Sequence, residues 1–455
     1  MSMEVINPVT GKMVQSYTEH SAAEVKQILE QSQQAFLAWR NEPFARKSTL
    51  MIKAAECLER KKAEYARLMT IEMGKPISQS RSEIDKCALL CRYYAQKAEA
   101  FLADEMISTD ASKSYVSFQP LGLVLAVMPW NFPFWQVFRF LVPALMAGNG
   151  GILKHASNVP GCALAIEEVV REAGFPENIF RSLLIGSREV AAVIEHPHIK
   201  AVTLTGSTPA GKAVASAAGA VLKKTVLELG GSDPYIILED ADLESAVNMC
   251  VQSRMINGGQ SCISAKRFIV VESLKNDFEK LFVSKMKEQV MGDPLKEETT
   301  LGPQARHDLR DQLHEQVRTS IKDGARLLLG GVIPDLEGAY YPPTVLTDVD
   351  ENVLSYHDEL FGPVASIISA KDEQDAVRKA NDSIFGLGAA VFSKDKARAE
   401  RIARNELEAG ACFVNAFVRS DARLPFGGIK ESGYGRELSS FGIREFVNIK
   451  TVYVK

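Results

Sequence analysis

LVLAVMPWNFP, at residues 123–133 of this 455-residue chain, is the first of many short apolar runs that alternate with helix-length segments. Its first six residues form a continuous apolar run, and Pro129 and Pro133 end regular structure after them. This composition predicts a buried strand followed by a rigid loop. Residues 120–138 carry no formal charge, but their prolines and polar side chains would break a membrane-spanning helix. We therefore favour a strand, a loop and a helix over a membrane span.

Short apolar runs continue to alternate with helix-length segments as far as residue 231. The predicted strands are 123–128, 151–154, 182–185, 201–205 and 225–231. The predicted helices are 135–147, 160–173, 187–195 and 209–219. Continuous apolar strands separated by helices indicate a parallel sheet covered on both faces. The pattern is typical of a Rossmann-like, dinucleotide-binding domain.

The same alternation restarts after Asp233 and predicts a second α/β domain. Its predicted strands are 235–238, 268–271, 327–329, 364–369, 389–393 and 411–414, with a helix at 243–256. The first hundred residues instead have helical periodicity at 22–39, 45–73 and roughly 82–103, with a stop signal at Gly74. Two polar, β-rich segments, 108–119 and the C-terminal EFVNIKTVYVK, are predicted to be edge strands.

Composition narrows the functional classes. The net charge of -4 gives no reason to expect nucleic acid or an anionic membrane as partner. Seven cysteines are scattered without a CxxC pair, which argues against a disulfide framework and a structural zinc site, so no metal is expected. The opening MSMEVINPVTGK lacks the signature of a signal peptide, and a cytoplasmic location is the default expectation.

A glycine-rich turn at 206–213, GSTPAGKA, follows the predicted strand at 201–205. It matches the phosphate-binding P-loop GxxxxGK[ST] except at Ala213, where the hydroxyl that ligates magnesium should stand. Three interpretations remain open from these residues alone. The turn is a P-loop of a phosphotransferase, a plain strand-to-helix connection, or a helix N-terminus that receives a dinucleotide pyrophosphate.

Three residues are candidates for covalent chemistry. Cys262 follows two glycines in NGGQSC, which lets the backbone approach a substrate, although a lone cysteine is more often buried and inert. Glu228 ends a predicted strand, where residues face a ligand crevice, and Asn131 is a rigid amide suited to an oxyanion. A cysteine hydrolase that uses His155 or His357 as base remains an alternative.

Five motifs in order resemble the aldehyde dehydrogenase superfamily. They are PWNFP (129–133), TGS (205–207), ELGG (228–231), GQSC (259–262) and ELFGP (359–363). The similarity runs from INPVTG at 6–11 to LPFGGIKESGYGRE at 424–437. It implies an NAD(P)-binding domain at 1–107 and 120–228, a catalytic domain at 229–430, and an oligomerisation arm with a C-terminal tail at 108–119 and 431–455.

The resemblance also implies roles for the candidate residues. Cys262 is the nucleophile, Asn131 and the Cys262 amide hold the oxyanion, and Glu228 activates the water that hydrolyses a thioester. Glu228 favours a free acid as product, because superfamily members that acylate coenzyme A generally lack that carboxylate. The expected cofactor contacts are Trp130, Lys154, His155, Ser157, Gly206, Ser207, Leu229, Glu359 and Phe361. The turn at 206–213 resembles the family's pyrophosphate turn, so the P-loop interpretation falls away.

Cofactor preference depends on the residues after Lys154. NAD-selective members often carry a glutamate three residues later, where this chain has Ser157, and the change removes a barrier to the NADP phosphate. His155, in place of a common proline, is expected to crowd that phosphate. The combination predicts that NAD is preferred and NADP tolerated.

The predicted substrate is a small aldehyde, above all succinate semialdehyde. Arg139 matches an arginine that pairs with the substrate carboxylate in succinate-semialdehyde dehydrogenases, whereas their second arginine is replaced by Ile256. Arg419 is the first candidate to replace it, ahead of Arg254 and Arg423. The full predicted substrate set is Arg139, Arg419, Phe132, Trp135, Ser261, Ile263 and Phe426.

Several alternatives accompany this prediction. The substrate could be another short aldehyde or semialdehyde, and each arginine could instead form a surface ion pair of little energetic value. The chain could also be a catalytically silent NAD-binding homologue. The resemblance and the terminal strand together predict a homodimer or homotetramer.

Overall fold

A computed structural model describes residues 2–455 of the chain. The fold is built around two large, mainly parallel sheets with helices packed against them and a smaller three-stranded sheet. The amino-terminal part comprises β1 (Ser2–Ile6), β2 (Met13–Thr18), α1 (Ala22–Trp39), α2 (Phe44–Arg60), α3 (Lys62–Met73), α4 (Ile77–Phe101), β3 (Glu105–Met106) and β4 (Lys113–Pro120). Four long helices therefore precede the first parallel sheet.

The helical prediction for the first hundred residues is confirmed with two changes. The helix predicted at 45–73 is two helices, because α2 ends at Arg60 and α3 begins at Lys62, and the third helix begins at Ile77 rather than near residue 82. Gly74 ends α3 with a φ of 79°, a left-handed conformation that glycine adopts at low cost. Ser21 and Glu24 form a capping box that fixes the start of α1.

The first parallel sheet is built from the segment that the sequence assigned to a Rossmann-like domain. Its elements are β5 (Leu123–Met128), α5 (Trp135–Met146), β6 (Gly150–His155), α6 (Pro160–Glu172), β7 (Phe180–Ser182), a 3-10 turn (Ser187–Glu189), α7 (Val190–Glu195), β8 (Ile199–Thr205), α8 (Thr208–Ala220) and β9 (Lys224–Glu228). The parallel strand order is β9-β8-β5-β6-β7. The predicted dinucleotide-binding architecture is confirmed.

The strand order of this sheet reverses between β5 and β8. Beyond β5 the chain adds β6 and β7 on one side, and it then returns to place β8 and β9 on the other. In open parallel sheets, a ligand crevice forms where the connections diverge in this way, beyond the carboxyl ends of the strands. The loops that begin at Pro129 and Gly206 lie at this position.

The second parallel sheet follows directly. Its elements are β10 (Pro234–Ile237), α9 (Leu243–Met255), a 3-10 turn (Ile256–Gly259), β11 (Arg267–Val271), α10 (Glu272–Lys287), α11 (His307–Lys322), β12 (Arg326–Leu329), β13 (Thr344–Thr347), α12 (Leu354–His357), β14 (Val364–Ala370), α13 (Glu373–Asn381), β15 (Phe385–Gly386), β16 (Gly388–Phe392), α14 (Lys396–Asn405) and β17 (Ala411–Val414). The sheet order is β12-β13-β14-β11-β10-β16-β17, and only β12 runs antiparallel to its neighbour. The predicted second α/β unit is confirmed.

The end of the chain returns to the earlier parts of the structure. Its elements are β18 (Ile429–Lys430), β19 (Gly433–Tyr434), α15 (Ser439–Ile443) and β20 (Val447–Val454). Strand β19 pairs with β9 at the edge of the first sheet, whereas β20 pairs along the whole of β4. The two segments predicted as edge strands thus pair with each other within one chain. The domain boundaries given above stay a prediction.

Strand β5 lies at the centre of the first core. Residues 123–126 have no exposed surface. Burial of a leucine or valine side chain stabilises the fold by about 1.5–3 kcal/mol. Within residues 2–455, no helix is long and apolar enough to cross a membrane. The uncharged stretch at 120–138 is the end of β4, strand β5, a loop and the start of α5.

Candidate active site

A cavity of about 280 Å³, the larger cavity, opens between the two parallel sheets. It is lined by Trp130, Asn131, Gly206, Ser207, Leu229, Cys262, Glu359 and Phe361, among others. Six of the nine expected cofactor residues therefore meet at the topological switch point, and their roles stay a prediction. Trp130 and Phe361 come from different sheets and contact each other edge to face, with ring centroids 5.9 Å apart.

The glycine-rich turn presents the N-terminus of α8 to the larger cavity. Ser207 precedes the helix and makes no side-chain capping hydrogen bond, so the first N–H groups remain available to an anion. Lys212 points elsewhere and pairs with Glu431 at 3.1 Å. A P-loop lysine would instead reach the phosphates, and this geometry agrees with a pyrophosphate turn. The turn therefore offers the larger cavity a helix N-terminus that suits an anion.

The three remaining cofactor candidates follow at the end of β6. Lys154 is half-buried, and Ser157 is exposed at the same sheet edge as the loop after β5. His155 is buried, and its two ring nitrogens lie 3.2 Å from the Met128 carbonyl and 2.9 Å from the Pro133 carbonyl. Because this ring faces the protein interior, the expectation that His155 crowds a cofactor phosphate is corrected.

Cys262 is held by a loop of unusual backbone conformation. Asn257, Gly258 and Gly259 have consecutive positive φ angles of 53°, 60° and 76°. A Cβ on Gly259 would lie only 2.1 Å from the Gly362 carbonyl oxygen, so only glycine fits there. This contact joins the GQSC and ELFGP motifs and leaves Cys262 partly exposed where the larger and smaller cavities meet.

Asn131 lies beside this loop. Its Nδ2 donates to the Gln260 carbonyl at 3.1 Å, and its Oδ1 accepts from Gln136 at 3.0 Å. The Asn257 side chain donates to the Asn131 carbonyl at 2.7 Å and thereby ties the two loops together. The second hydrogen on Nδ2 is available to a ligand in the larger cavity. This arrangement suits an oxyanion next to Cys262.

Burial raises the pKa of the Cys262 thiol to about 12, although the positive charges of Arg139 and Lys266 oppose the shift. Lys266 donates to the Cys262 carbonyl at 2.8 Å and to the Ser261 carbonyl at 3.0 Å. Its ammonium also lies 3.3 Å from Glu359. The resting nucleophile is therefore a thiol, and its attack on a carbonyl requires loss of the proton.

Glu228 ends β9 as predicted, but its side chain lines neither cavity. Its two carboxylate oxygens have no hydrogen-bond partner within residues 2–455, and one of them packs against Gly427. Burial raises the pKa of Glu228 well above the ordinary value, and the neighbouring Glu437 raises it further, against the opposing charge of Arg139. Desolvation and the neighbouring carboxylate thus both favour the neutral form of this carboxyl group.

A smaller cavity of about 110 Å³ lies on the other side of Cys262. All of the predicted substrate residues line it: Arg139, Arg419, Phe132, Trp135, Ser261, Ile263 and Phe426. Arg139 forms an ion pair with Glu437, and both side chains are buried. Its guanidinium also stacks on the Phe426 ring at 4.5 Å. Arg139 therefore reaches the cavity with its charge already compensated, and its role in substrate binding stays a prediction.

The other arginine and histidine candidates lie elsewhere. Arg254 is buried behind the cysteine loop and donates to the Gly259 carbonyl at 2.6 Å. Arg423 is exposed and pairs with Asp421 at 2.6 Å. Neither arginine lines the smaller cavity. His357 is exposed and, like the buried His155, lines no cavity with Cys262, so neither histidine is placed to act as its base.

Among the site residues that the sequence did not predict are Lys86, Gln136 and Lys266. Gln136 lines both cavities and orients Asn131, and Lys266 supports the cysteine loop. Lys86 lines the smaller cavity from α4, far from the catalytic motifs in sequence. Lys266 follows Cys262 by only four residues, and this short separation could have predicted a contact with the cysteine loop. A lysine on an amphipathic helix, such as Lys86, gives no such signal.

Comparison with known proteins agrees with this geometry. The model of the aldehyde dehydrogenase family matches residues 1–452. A Synechocystis protein named probable succinate-semialdehyde dehydrogenase (NADP+) is 51% identical over the full length of both chains. The Mycobacterium leprae succinate-semialdehyde dehydrogenase (NADP+) is 47% identical, again over both full lengths.

A solved structure of succinic semialdehyde dehydrogenase from Streptococcus pyogenes, in complex with NADP+, has a TM-score of 0.97. It is 37% identical in sequence, and 99% of each chain is covered. The family match extends over nearly the whole chain, and the relatives are similar in both sequence and fold. The chain therefore belongs to the aldehyde dehydrogenase family.

Proposed function

We propose that this enzyme oxidises succinate semialdehyde to succinate with NADP+ as the hydride acceptor. The observation that carries the proposal is the charge of the smaller cavity beside Cys262. Lys86, Arg139 and Arg419 line it, and no carboxylate does among the described residues. Such a cavity favours an aldehyde that carries its own carboxylate. The names of the relatives from Synechocystis and Mycobacterium leprae support the same substrate.

In the proposed reaction, the Cys262 thiol releases its proton to water, and the thiolate sulfur then forms a bond to the aldehyde carbon while the carbonyl π bond breaks toward oxygen. The oxygen of the tetrahedral adduct takes up negative charge and accepts hydrogen bonds from Asn131 Nδ2 and the Cys262 amide. The residues of the larger cavity, among them Trp130, Ser207 and Phe361, would hold NADP+, which would supply the acceptor for the hydride that leaves the adduct. A thioester on Cys262 remains.

Hydrolysis of that thioester is assigned to water activated by Glu228. Because the carboxyl group lines neither cavity, its side chain must rotate toward Cys262 before it can take a proton from water. Its environment beside Glu437 and Gly427 raises its pKa, so the carboxyl group must also have released its proton to solvent before it accepts one from water. Water attacks the thioester carbon, the carbon–sulfur bond breaks, and succinate leaves. Coenzyme A is not required.

The proposed cofactor differs from the one that the sequence analysis favoured. Three of the named relatives are associated with NADP+, and they do not support a preference for NAD. His155, which was expected to crowd the NADP phosphate, has its ring toward the interior and leaves that space open. Lys154 and the exposed Ser157 then remain as the groups that would meet the 2′-phosphate, as a cation and a hydroxyl donor.

Ser157→Glu is expected to lower kcat/KM for NADP+ by at least about tenfold, because a carboxylate would repel the 2′-phosphate. The value for NAD+ should change less. Steady-state kinetics with both cofactors measure the effect, and Ser16→Glu in β2 is the matched control. Equal losses with both cofactors would reject the assignment of Ser157.

The aldehyde specificity is tested with two substrates of equal chain length. The wild-type enzyme should use succinate semialdehyde with a kcat/KM at least about tenfold above that for butanal, since a charge-assisted contact contributes roughly 1.5–3 kcal/mol. Absorbance at the NADPH band measures both rates. A preference for butanal would overturn the proposed substrate and leave an unspecific aliphatic aldehyde dehydrogenase.

The expected oligomer and location are part of the same proposal. One edge of β20 is unpaired within residues 2–455 and exposes Ile449, Tyr453 and Val454. An edge strand of this kind invites pairing with a second chain, which supports a homodimer or homotetramer. A cytoplasmic location is retained as the expectation from the sequence.

A further inference from the structure

Lys86 lines the smaller cavity but takes no part in the bond-making and bond-breaking steps of the proposed reaction. It projects from α4, and its Nζ lies 4.0 Å from the centroid of the Trp135 ring. The ammonium also donates to the Ser420 hydroxyl at 2.7 Å. An aromatic face and a hydroxyl thus hold one positive charge against the wall of the cavity.

The half-buried Lys86 has no counter-ion, in contrast to the buried cations nearby. Lys75 pairs with Glu83, Arg139 pairs with Glu437, and Lys266 lies 3.3 Å from Glu359. No carboxylate within residues 2–455 lies in ion-pair distance of Lys86. Lys86 is half-buried, and a partly desolvated charge without a partner is costly, so its retention calls for a ligand that supplies the opposite charge.

The nearest carboxylates are already engaged. Glu83 accepts hydrogen bonds from the Phe134 and Trp135 amides, each at 2.9 Å, in addition to its ion pair with Lys75. Asp421 forms a two-pronged contact with Arg423. Neither group can therefore turn toward Lys86 without loss of those contacts. Burial, and then repulsion by Arg139, lowers the pKa of Lys86 to about 8.

We propose that Lys86 is a specificity-determining residue that binds the carboxylate of the substrate. This inference rests on the proposed function, and it names the side chain that gives the enzyme its selectivity for an aldehyde with a carboxylate. The Ser420 oxygen accepts from Lys86, so its own proton is free to be donated to the same carboxylate. Arg139 lies within electrostatic reach of both Lys86 and Cys262, but its charge is compensated by Glu437.

The three cations that line the smaller cavity have different roles in this proposal. Lys86 provides an uncompensated charge at a fixed position, whereas Arg419 is exposed and stacks loosely on Phe417, with 6.0 Å between the guanidinium carbon and the ring centroid. Arg419 is suited to attract the anion at the mouth of the cavity. Lys86 is suited to hold it during the reaction, because its partners Trp135 and Ser420 restrict the ammonium.

The test compares kcat/KM for succinate semialdehyde and for butanal in the full-length enzyme with NADP+. Lys86→Gln removes the charge but keeps a group that can bond to Ser420. We expect the ratio of the two values to fall by about 10- to 100-fold, mainly through a higher KM for the semialdehyde. Lys86→Arg should restore much of the ratio. Lys97→Gln, on the exposed side of the same helix, should leave it unchanged.

The possible failures can be distinguished. If the wild-type enzyme does not prefer the semialdehyde, the proposed function fails and the inference about Lys86 fails with it. If the wild-type preference is present but survives in Lys86→Gln, only the inference about Lys86 is overturned. Equal losses with both substrates, without rescue by Lys86→Arg, would show a structural role and also overturn it.

Discussion

Cys262→Ala is expected to lower kcat for every aldehyde by about 10⁴-fold or more, because no other group can form the covalent adduct. Binding of NADP+ should persist, since Cys262 only borders the larger cavity and the cavity is lined mainly by other residues. Stopped-flow measurement of NADPH formation and a separate titration of cofactor binding provide the two readouts.

Cys412→Ala is the matched control for this substitution. Cys412 lies in β17, is also partly exposed, and lines neither the larger nor the smaller cavity. Its loss should leave kcat within about threefold of the wild-type value, as for a substitution outside the chemistry. Turnover by Cys262→Ala above about one hundredth of the wild-type rate would contradict the assignment of the nucleophile.

Glu228→Gln is expected to separate the two halves of the reaction. Hydride transfer should still produce a burst of NADPH close to one per active site, after which turnover stalls because the thioester is not hydrolysed. The expected loss in kcat is about 10²- to 10⁴-fold. Mass spectrometry of the stalled enzyme should find a succinyl group on the peptide that contains Cys262.

The raised pKa of Glu228 gives this prediction a pH dependence. A base must be deprotonated to act, so hydrolysis by the wild-type enzyme should accelerate as pH rises toward that pKa. The residual hydrolysis rate of Glu228→Gln should not rise with pH in this way, because the variant has no carboxylate at that position. Glu400→Gln, on an exposed position of α14, is the control. Loss of the burst itself would show that Glu228 acts before the thioester forms.

The two sheets could be predicted from sequence because their strands are buried on both faces. The run at 123–128 is apolar without interruption, only Ser366 and Ser369 interrupt the run at 364–370, and the helices between such runs have clear periodicity. The same clarity explains why the ends of α5, α6 and β17 fall within a residue of the prediction. The break between α2 and α3 was missed, because the pattern at Lys61 does not change there.

The positions of the site residues could be predicted from the motifs, but their pairings could not. Arg139 was found, yet its ion pair with Glu437 depends on the return of the C-terminal segment to the first sheet. The orientation of the His155 ring depends on the Met128 and Pro133 carbonyls, which are tertiary contacts. Lys86 was missed for the same reason, because only the packing of α4 brings it to the cavity.

The central claim is that this enzyme converts succinate semialdehyde, NADP+ and water to succinate and NADPH through a thioester on Cys262. A mass balance tests it most directly, with a limiting amount of aldehyde, excess NADP+ and no coenzyme A. The account predicts equal amounts of succinate and NADPH until the aldehyde is consumed. NADPH without succinate, or turnover that requires coenzyme A, would contradict it.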